Sequence, residues 1–194
     1  MLKIGLTGGM GSGKTTVSKI FSALGIPVFY ADDVAKTVMS EDADLKQNII
    51  QLFGEDAYSN NSLNRKYIAG IVFNDKYKLE QLNALVHPLT IAAADKWMQA
   101  QTTPYILKEA ALMFESPAAA NLDYIIGVYA PQHLRLHRVM QRDGASREEV
   151  LARMNNQLDE TIKMKLCDFV ILNDEQQAVL PQVLALHKKF LDLA

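Results

Sequence analysis

Gly8-Gly9-Met10-Gly11-Ser12-Gly13-Lys14-Thr15 decides how the rest of the chain is read. It fits the pattern G-x-x-x-x-G-K-[ST], a glycine-rich loop built to wrap phosphate. Both flanks agree with that reading. Upstream, Leu2–Thr7 is an apolar run ended by glycines, which predicts a buried strand. Downstream, Val17, Ile20, Phe21 and Leu24 recur at i, i+3, i+4 and i+7, which predicts a helix beginning at Lys14. Gly25 and Pro27 stop it. Between a strand and a helix, glycines let successive backbone N–H groups turn toward an anion, and the helix N-terminus adds partial positive charge. Lys14 is expected to reach the β- and γ-phosphates, and the Thr15 hydroxyl to serve as a ligand of Mg²⁺. The loop therefore predicts a nucleoside triphosphate site, without saying what receives the phosphate.

Four further apolar runs predict strands: Val28–Tyr30, Tyr105–Glu109, Tyr124–Tyr129 and Phe169–Leu172. With the first they make five, separated by helical periodicities. A parallel α/β sheet covered on both faces is the economical fold. Val179, Val183, Leu184, Leu186 and Phe190 predict a closing helix. The spacing is uneven: more than seventy residues separate Tyr30 from Tyr105, too many for one crossover. The excess is helical in pattern. Leu45, Ile49, Ile50, Leu52 and Phe53 form one candidate helix, stopped by Gly54. Tyr67, Ile68, Ile71, Val72 and Phe73 form a second, and Leu79, Leu82, Leu85 and Val86 lead to His87-Pro88. Residues 32–89 are read as a helical insertion at the carboxyl edge of the sheet, where ligands of open α/β sheets bind. Residues 132–160 are read as a lid, and residues 1–31, 90–131 and 161–194 as the nucleotide-binding core.

Composition narrows the classes. A chain of 194 residues, 49% hydrophobic, suits an α/β domain with an inserted piece. A net charge of -2 argues against a general nucleic-acid binder. Cys167 stands alone, so no internal disulfide is possible. No apolar run reaches membrane-spanning length, and Met1-Leu2-Lys3 has no signal-peptide layout. A cytoplasmic protein acting on small molecules, with no nucleic-acid or membrane partner, is the expectation. His133 and His137 have metal-ligand spacing, but Leu134 replaces the glutamate of H-E-x-x-H. Cys167 reads as a small filler and His187 as a surface residue.

Two more features bear on chemistry. Arg135, Arg138 and Arg142 are spaced i, i+3 and i+7, so they share a helix face. Asp143-Gly144-Ala145 is a turn, and Ser146 with Glu149 forms a capping box opening a second helix. Such a hairpin can close arginines over a nucleotide, with Arg138 or Arg142 stabilising charge on the moving phosphoryl group. The alternative is a solvated basic helix. Asp32 follows the second strand directly. A carboxylate there can accept a hydroxyl proton as the alcohol attacks phosphorus, or orient a water on Mg²⁺. It can also merely cap a helix, a job for which Asp33 competes.

By these residues the chain resembles the dephospho-coenzyme A kinase family nearly end to end. IGLTGGMGSGKTTVSKIF (4–21) resembles its phosphate loop, and YADDVAK (30–36) its D-A-D segment. LNRKYIAGIVF (63–73) and LNALVHPL (82–89) resemble its substrate-domain pieces, and ALMFE (111–115) its P-L-L-F-E segment. HRVMQRD (137–143) with ARMNNQ (152–157) resembles its lid, and CDFVILND (167–174) the strand before the adenine-side loop, which brings in Asn173. The resemblance implies transfer of the γ-phosphate of ATP to the ribose 3′-hydroxyl of dephospho-CoA, the last step in making CoA. It implies Asp32 as base, Lys14 and Arg138 on the transferring group, and Gly11 through Thr16 lining the ATP phosphates with Thr15 on Mg²⁺. His87, Arg65 and Glu115 are implied on the acceptor side.

Three positions depart from the family pattern: Tyr30 for the first aspartate of D-A-D, Ala111 for proline, and Glu175 for the glycine that follows Asn-Asp. Two rival functions remain: a P-loop kinase for another acceptor such as a nucleoside monophosphate, and a nucleotide-dependent switch. The chain has neither N-K-x-D nor D-x-x-G, the elements a GTPase switch uses.

Overall fold

The computed structural model describes residues 1–60, 62–72 and 75–194. The chain divides into two compact units, Met1–Tyr30 with Met98–Ala194, and Ala31–Trp97.

The first unit is built on a five-stranded parallel sheet: β1 (Leu2–Thr7), β2 (Val28–Tyr30), β5 (Tyr105–Glu109), β6 (Tyr124–Tyr129) and β7 (Phe169–Leu172). All five strands fall on the runs that the sequence marks. β3 and β4 belong to the second unit, and the order across the sheet is β2-β5-β1-β6-β7. β1 is therefore central, paired in parallel with β5 on one side and β6 on the other. The chain crosses from one side of β1 to the other, so the loop leaving β1 sits at the topological switch point. Parallel strands need both faces covered, and β5 is buried throughout.

α1 (Lys14–Ala23) and α9 (Val179–Leu193) supply one cover. Val17 and Phe21 from α1, and Val183 and Phe190 from α9, join Ile4, Leu6, Tyr105, Leu107, Ile126, Val128 and Ile171 in one core. His187 is half-buried on α9 with Nδ1 2.7 Å from the Tyr105 hydroxyl. The expectation of a surface histidine is thus corrected: the hydroxyl of a fully buried tyrosine needs a partner, and His187 supplies it. α6 (Gln132–Asp143) and α7 (Arg147–Asn155) form the expected hairpin, and α8 (Glu160–Lys165) follows. The Ser146 hydroxyl accepts from the Glu149 N–H while the Glu149 carboxylate accepts from the Ser146 N–H, completing the capping box.

The second unit is helical, with α2 (Ala31–Glu41), α3 (Ala43–Phe53), α4 (Arg65–Val72) and α5 (Lys76–Gln99). Leu45, Ile49, Phe53, Ile68, Val72 and Val86, all apolar positions that periodicity selects, form its core together with Ala57 from the turn after α3. Phe73, which the same periodicity adds to α4, lies outside the described residues. A two-stranded hairpin, β3 (Tyr58–Ser59) with β4 (Ser62–Leu63), was not expected; strands of two residues leave no alternation to read. α5 also differs from expectation, because it continues through Pro88 to Gln99 instead of ending at His87-Pro88. Proline removes one helical donor, and here the Thr90 hydroxyl donates to the Val86 carbonyl within the affected turn.

Candidate active site

The loop between β1 and α1 has the geometry its glycines predict. Gly11 and Gly13 take φ of +79° and +100°, a left-handed backbone that favours glycine. The Ser12 N–H donates to the Gly9 carbonyl at 3.1 Å, and the Thr16 and Val17 N–H groups donate to Gly13. Thr15 and Thr16 are exposed on the first turn of α1. Asn173, just past β7, donates through Nδ2 to the Ser12 carbonyl at 2.8 Å. A Cβ on Gly13 would collide with that amide, so the position needs glycine for its neighbour as well as for its backbone. Asn173 is thus brought to the loop through Ser12.

Lys14 Nζ donates to the Gly8 carbonyl at 2.9 Å and lies 4.0 Å from Glu109 Oε1. Both side chains are about nine-tenths buried, at 11% and 9% exposure. Glu109 ends β5, in register with Leu6 of β1 and Tyr30 of β2. Sequence reading treated Glu109 only as the end of a strand. Its signal is a Lys-Glu pair, Lys108-Glu109, closing a buried strand that opens apolar, at the edge where ligands bind.

The shared arginine face resolves into three different jobs. Seven residues of helix rise roughly 10 Å, too far for one small ligand to gather all three side chains. Arg135 is 8% exposed and pairs with Glu160 at 3.3 Å. Arg138 Nη2 donates to the Asn173 carbonyl at 3.2 Å and to Glu175 Oε1 at 2.9 Å. Arg142 does not join the loop: its guanidinium grips Asp143 through both carboxylate oxygens, at 2.7 and 3.1 Å. Glu175, one of the three positions noted above as departing from the resemblance, takes φ of +67°, and its carboxylate gains the Arg138 contact.

Several buried polar atoms gathered on this loop have no partner among the described residues: Thr7 Oγ1, Ser12 Oγ, Arg135 Nε and Arg138 Nη1. Unpaired buried donors are costly, and a polar anionic ligand satisfies such a set. Among the described residues, no three His, Cys, Asp or Glu side chains cluster as a metal site, His133 and His137 included. The Thr15 hydroxyl at the loop's helix end suits a hard cation carried in with phosphate.

Glu115 takes its partners within the first unit. Its Oε1 accepts from the Leu158 N–H at 2.9 Å and from Lys163 Nζ at 3.1 Å. Lys163 is fully buried and also donates to the Ala111 carbonyl. The carboxylate therefore ties α8 to the segment after β5. Burial pushes the Glu115 carboxyl up, but the Leu158 amide and Lys163 together outweigh it and hold it below its ordinary 4.5. Glu115→Gln keeps an acceptor oxygen but removes the charge that offsets the Lys163 ammonium, and is expected to cost about 2 kcal/mol, less than a fully buried pair because Glu115 keeps 21% of its side-chain exposure. A depressed carboxyl stabilises in full above its unfolded value and loses that contribution as pH falls through the folded one. Melting curves should show the wild type losing this increment below pH 4.5, with Glu115→Gln lacking it. Equal melting temperatures at pH 7 would refute the strut.

The second unit carries the other three candidates. α2 starts at Ala31 with no intervening loop, so Asp32 and Asp33 lie in its first turn, where the helix dipole favours carboxylates. Asp33 Oδ1 takes Lys36 Nζ at 2.6 Å, while Asp32 is exposed. Arg65 is exposed at the start of α4, behind Asn64, whose side chain accepts from the Tyr67 N–H. His87 lies inside α5, half-buried, and burial lowers its pKa below the ordinary value. It is not the helix-end histidine that the following proline suggests.

Comparison with known proteins agrees with this architecture. The dephospho-CoA kinase family model matches residues 2–178. A Bacteroides fragilis dephospho-CoA kinase is 34% identical over 186 residues, covering 95% of this chain and 91% of the relative. A crystal structure of a Thermus thermophilus protein superposes with a TM-score of 0.85 at 33% identity, covering 100% of this chain and 98% of the other. The structure of a Campylobacter jejuni dephospho-CoA kinase gives a TM-score of 0.70 at 29% identity, over 98% and 97% of the two chains. The phosphate loop alone would fit many kinases, but a match running through both units does not, and this chain belongs to the dephospho-CoA kinase family.

Proposed function

We infer that the protein transfers the γ-phosphate of ATP to the ribose 3′-hydroxyl of dephospho-CoA, giving CoA and ADP. The observation that carries the acceptor is the extent of the family match, which spans the helical unit as well as the phosphate loop. The loop chemistry is that of a donor site. Gly11 through Thr16 cradle the triphosphate with backbone N–H groups and the α1 N-terminus. Gly8 and Gly9 open the loop, and Lys14 puts a cation on the β- and γ-phosphates. Arg138, with Nη1 unpartnered and buried, supplies a second cation as charge spreads over the moving group. Thr15 is the residue that would hold a Mg²⁺ ion bound with ATP, which would supply positive charge against the triphosphate. Asn173 shapes the loop's far side through Ser12. Arg142 has to leave Asp143 to reach a nucleotide.

Asp32 is the proposed base. It stands two residues beyond Tyr30, which β2 holds in register with Glu109, the carboxylate beside Lys14. The 3′-hydroxyl gives its proton to Asp32 as its oxygen attacks the γ-phosphorus and ADP leaves. Arg65 and His87 are proposed on the acceptor side, in the helical unit at residues 31–97; Glu115, in the first unit, fixes the backbone after β5. No helix among the described residues is long and apolar enough to cross a membrane, and a cytoplasmic location with small-molecule partners is the reading we favour.

A coupled ADP-release assay with ATP and Mg²⁺ tests the acceptor. Dephospho-CoA is expected to stimulate turnover at least tenfold more than adenosine, AMP, CMP or shikimate. Equal or greater stimulation by one of those would overturn the assignment.

A further inference from the structure

The first half of the phosphate loop is held from outside by groups that the transfer chemistry does not use. The Gly9 N–H donates to Glu160 Oε1 at 3.2 Å, and the Met10 N–H donates to Gln157 Oε1 at 2.9 Å. Both acceptors come from the junction of α7 and α8. The Met10 side chain packs against Val139, Val150 and Met154, the small core of the α6–α7 hairpin. Arg135 lies over the same stretch. A Cβ on Gly9 would collide with its guanidinium and with the Glu160 carboxylate, and one on Gly11 would meet the Arg135 carbonyl.

We propose that Gln157 and Glu160 are positioning residues for ATP, clasping the Gly9 and Met10 amides so that the following amides, Gly11 through Thr16, are set toward the phosphates before ATP arrives. A glycine-rich loop left to itself must be ordered at the expense of binding, because glycine loses the most conformational freedom. Two fixed peptide planes at its start remove part of that cost in advance, which strengthens binding without touching the ligand.

The charges explain why a carboxylate is tolerated beside an anion site. Glu160 alone would repel triphosphate. Arg135 Nη1 stands 3.3 Å from its Oε2, with both side chains at 10% exposure, so the pair is close to neutral toward the loop. The other oxygen remains available to Gly9. Gln157 does the same work for Met10 with no charge. Because the acceptors lie at the exit of the arginine hairpin, the clasp also fixes one end of that hairpin to the loop.

The test is a comparison of wild type with Gln157→Ala, Glu160→Ala and Glu160→Gln, measuring ATP Kd by calorimetry and KM for ATP and for dephospho-CoA separately. The inference rests on the loop being the ATP site: wild type binding no ATP would remove that reading, whereas wild-type affinity in the variants would remove only the clasp. Gln157→Ala and Glu160→Ala are each expected to raise ATP Kd and KM about tenfold and leave the acceptor KM within twofold. Glu160→Gln keeps an oxygen for the Gly9 N–H and leaves the Arg135 cation uncancelled, so its ATP Kd should match or fall below that of wild type. Unchanged ATP affinity in Gln157→Ala overturns the proposal, as does an equal rise in both KM values. Glu160→Gln binding as weakly as Glu160→Ala also overturns it. Should Glu160→Ala not fold, Gln157→Ala and Glu160→Gln decide by the same criteria.

Discussion

Asp32→Asn is expected to bind ATP as tightly as the wild type and to turn over roughly 100- to 10,000-fold more slowly, the range general-base catalysis spans. Asparagine keeps the size and most of the hydrogen bonding of aspartate but cannot take the hydroxyl proton. The position tolerates the change. Asp32 is exposed in the first turn of α2, and its neighbour Asp33 holds the local contact with Lys36. The cost to the fold is therefore that of one favourable carboxylate at a helix N-terminus, well under 1 kcal/mol by order of magnitude. Single-turnover rates with ATP and dephospho-CoA, alongside ATP Kd by calorimetry, check both halves. Turnover within threefold of wild type would reduce Asp32 to a charge on a helix end. Rescue of the variant by raising Mg²⁺ would assign it to orienting metal-bound water instead.

Lys14→Ala is expected to lower kcat/KM for ATP on the order of 1,000-fold, with weaker nucleotide binding and a slower chemical step. Lys14 contributes in two ways. Its ammonium is positioned over the loop by the Gly8 carbonyl at 2.9 Å, so the charge is in place before substrate arrives. It also stands 4.0 Å from the buried Glu109 carboxylate, which limits where the ammonium can wander. A displaced charge stabilises a transition state poorly, since the benefit depends on preorganisation. Thermal melting separates this effect from damage at Glu109. A folded Lys14→Ala chain with wild-type ATP affinity and rate would contradict the assignment of the loop.

The fold was largely legible in the sequence because its strongest signals are local. Short runs of three to six residues bounded by glycine, proline or Asn-Asp placed each strand of the sheet. Helical periodicity placed α1, α3 and α9, and the Ser146–Glu149 pair placed the start of α7. What failed was local in appearance and tertiary in cause. Pro88 reads as a stop, yet α5 passes through it because Val86 and Leu89 are held in the helical unit's core. The β3–β4 hairpin is too short to announce itself.

The site was legible where one short motif carries the chemistry, and illegible where partners lie far apart in the chain. Glycine spacing selects Gly8 to Thr15 without help. Nothing in the sequence links Glu109 to Lys14, Gln157 to Met10, or Glu160 to Gly9, although the structure sets each pair in contact or close approach. Helical spacing put Arg135, Arg138 and Arg142 on one face, but not their partners: Glu160, Glu175 and Asp143. Glu115 shows the same limit, since only the packing of α8 reveals that it meets Lys163.

The sequence by itself determined a phosphate loop after the first strand of a parallel sheet, because steric freedom at glycine and the periods of strand and helix are properties of neighbours along the chain. The tertiary structure alone decided which charged side chains face that loop, because a charge enters a buried place only where a partner from another element is waiting to satisfy it.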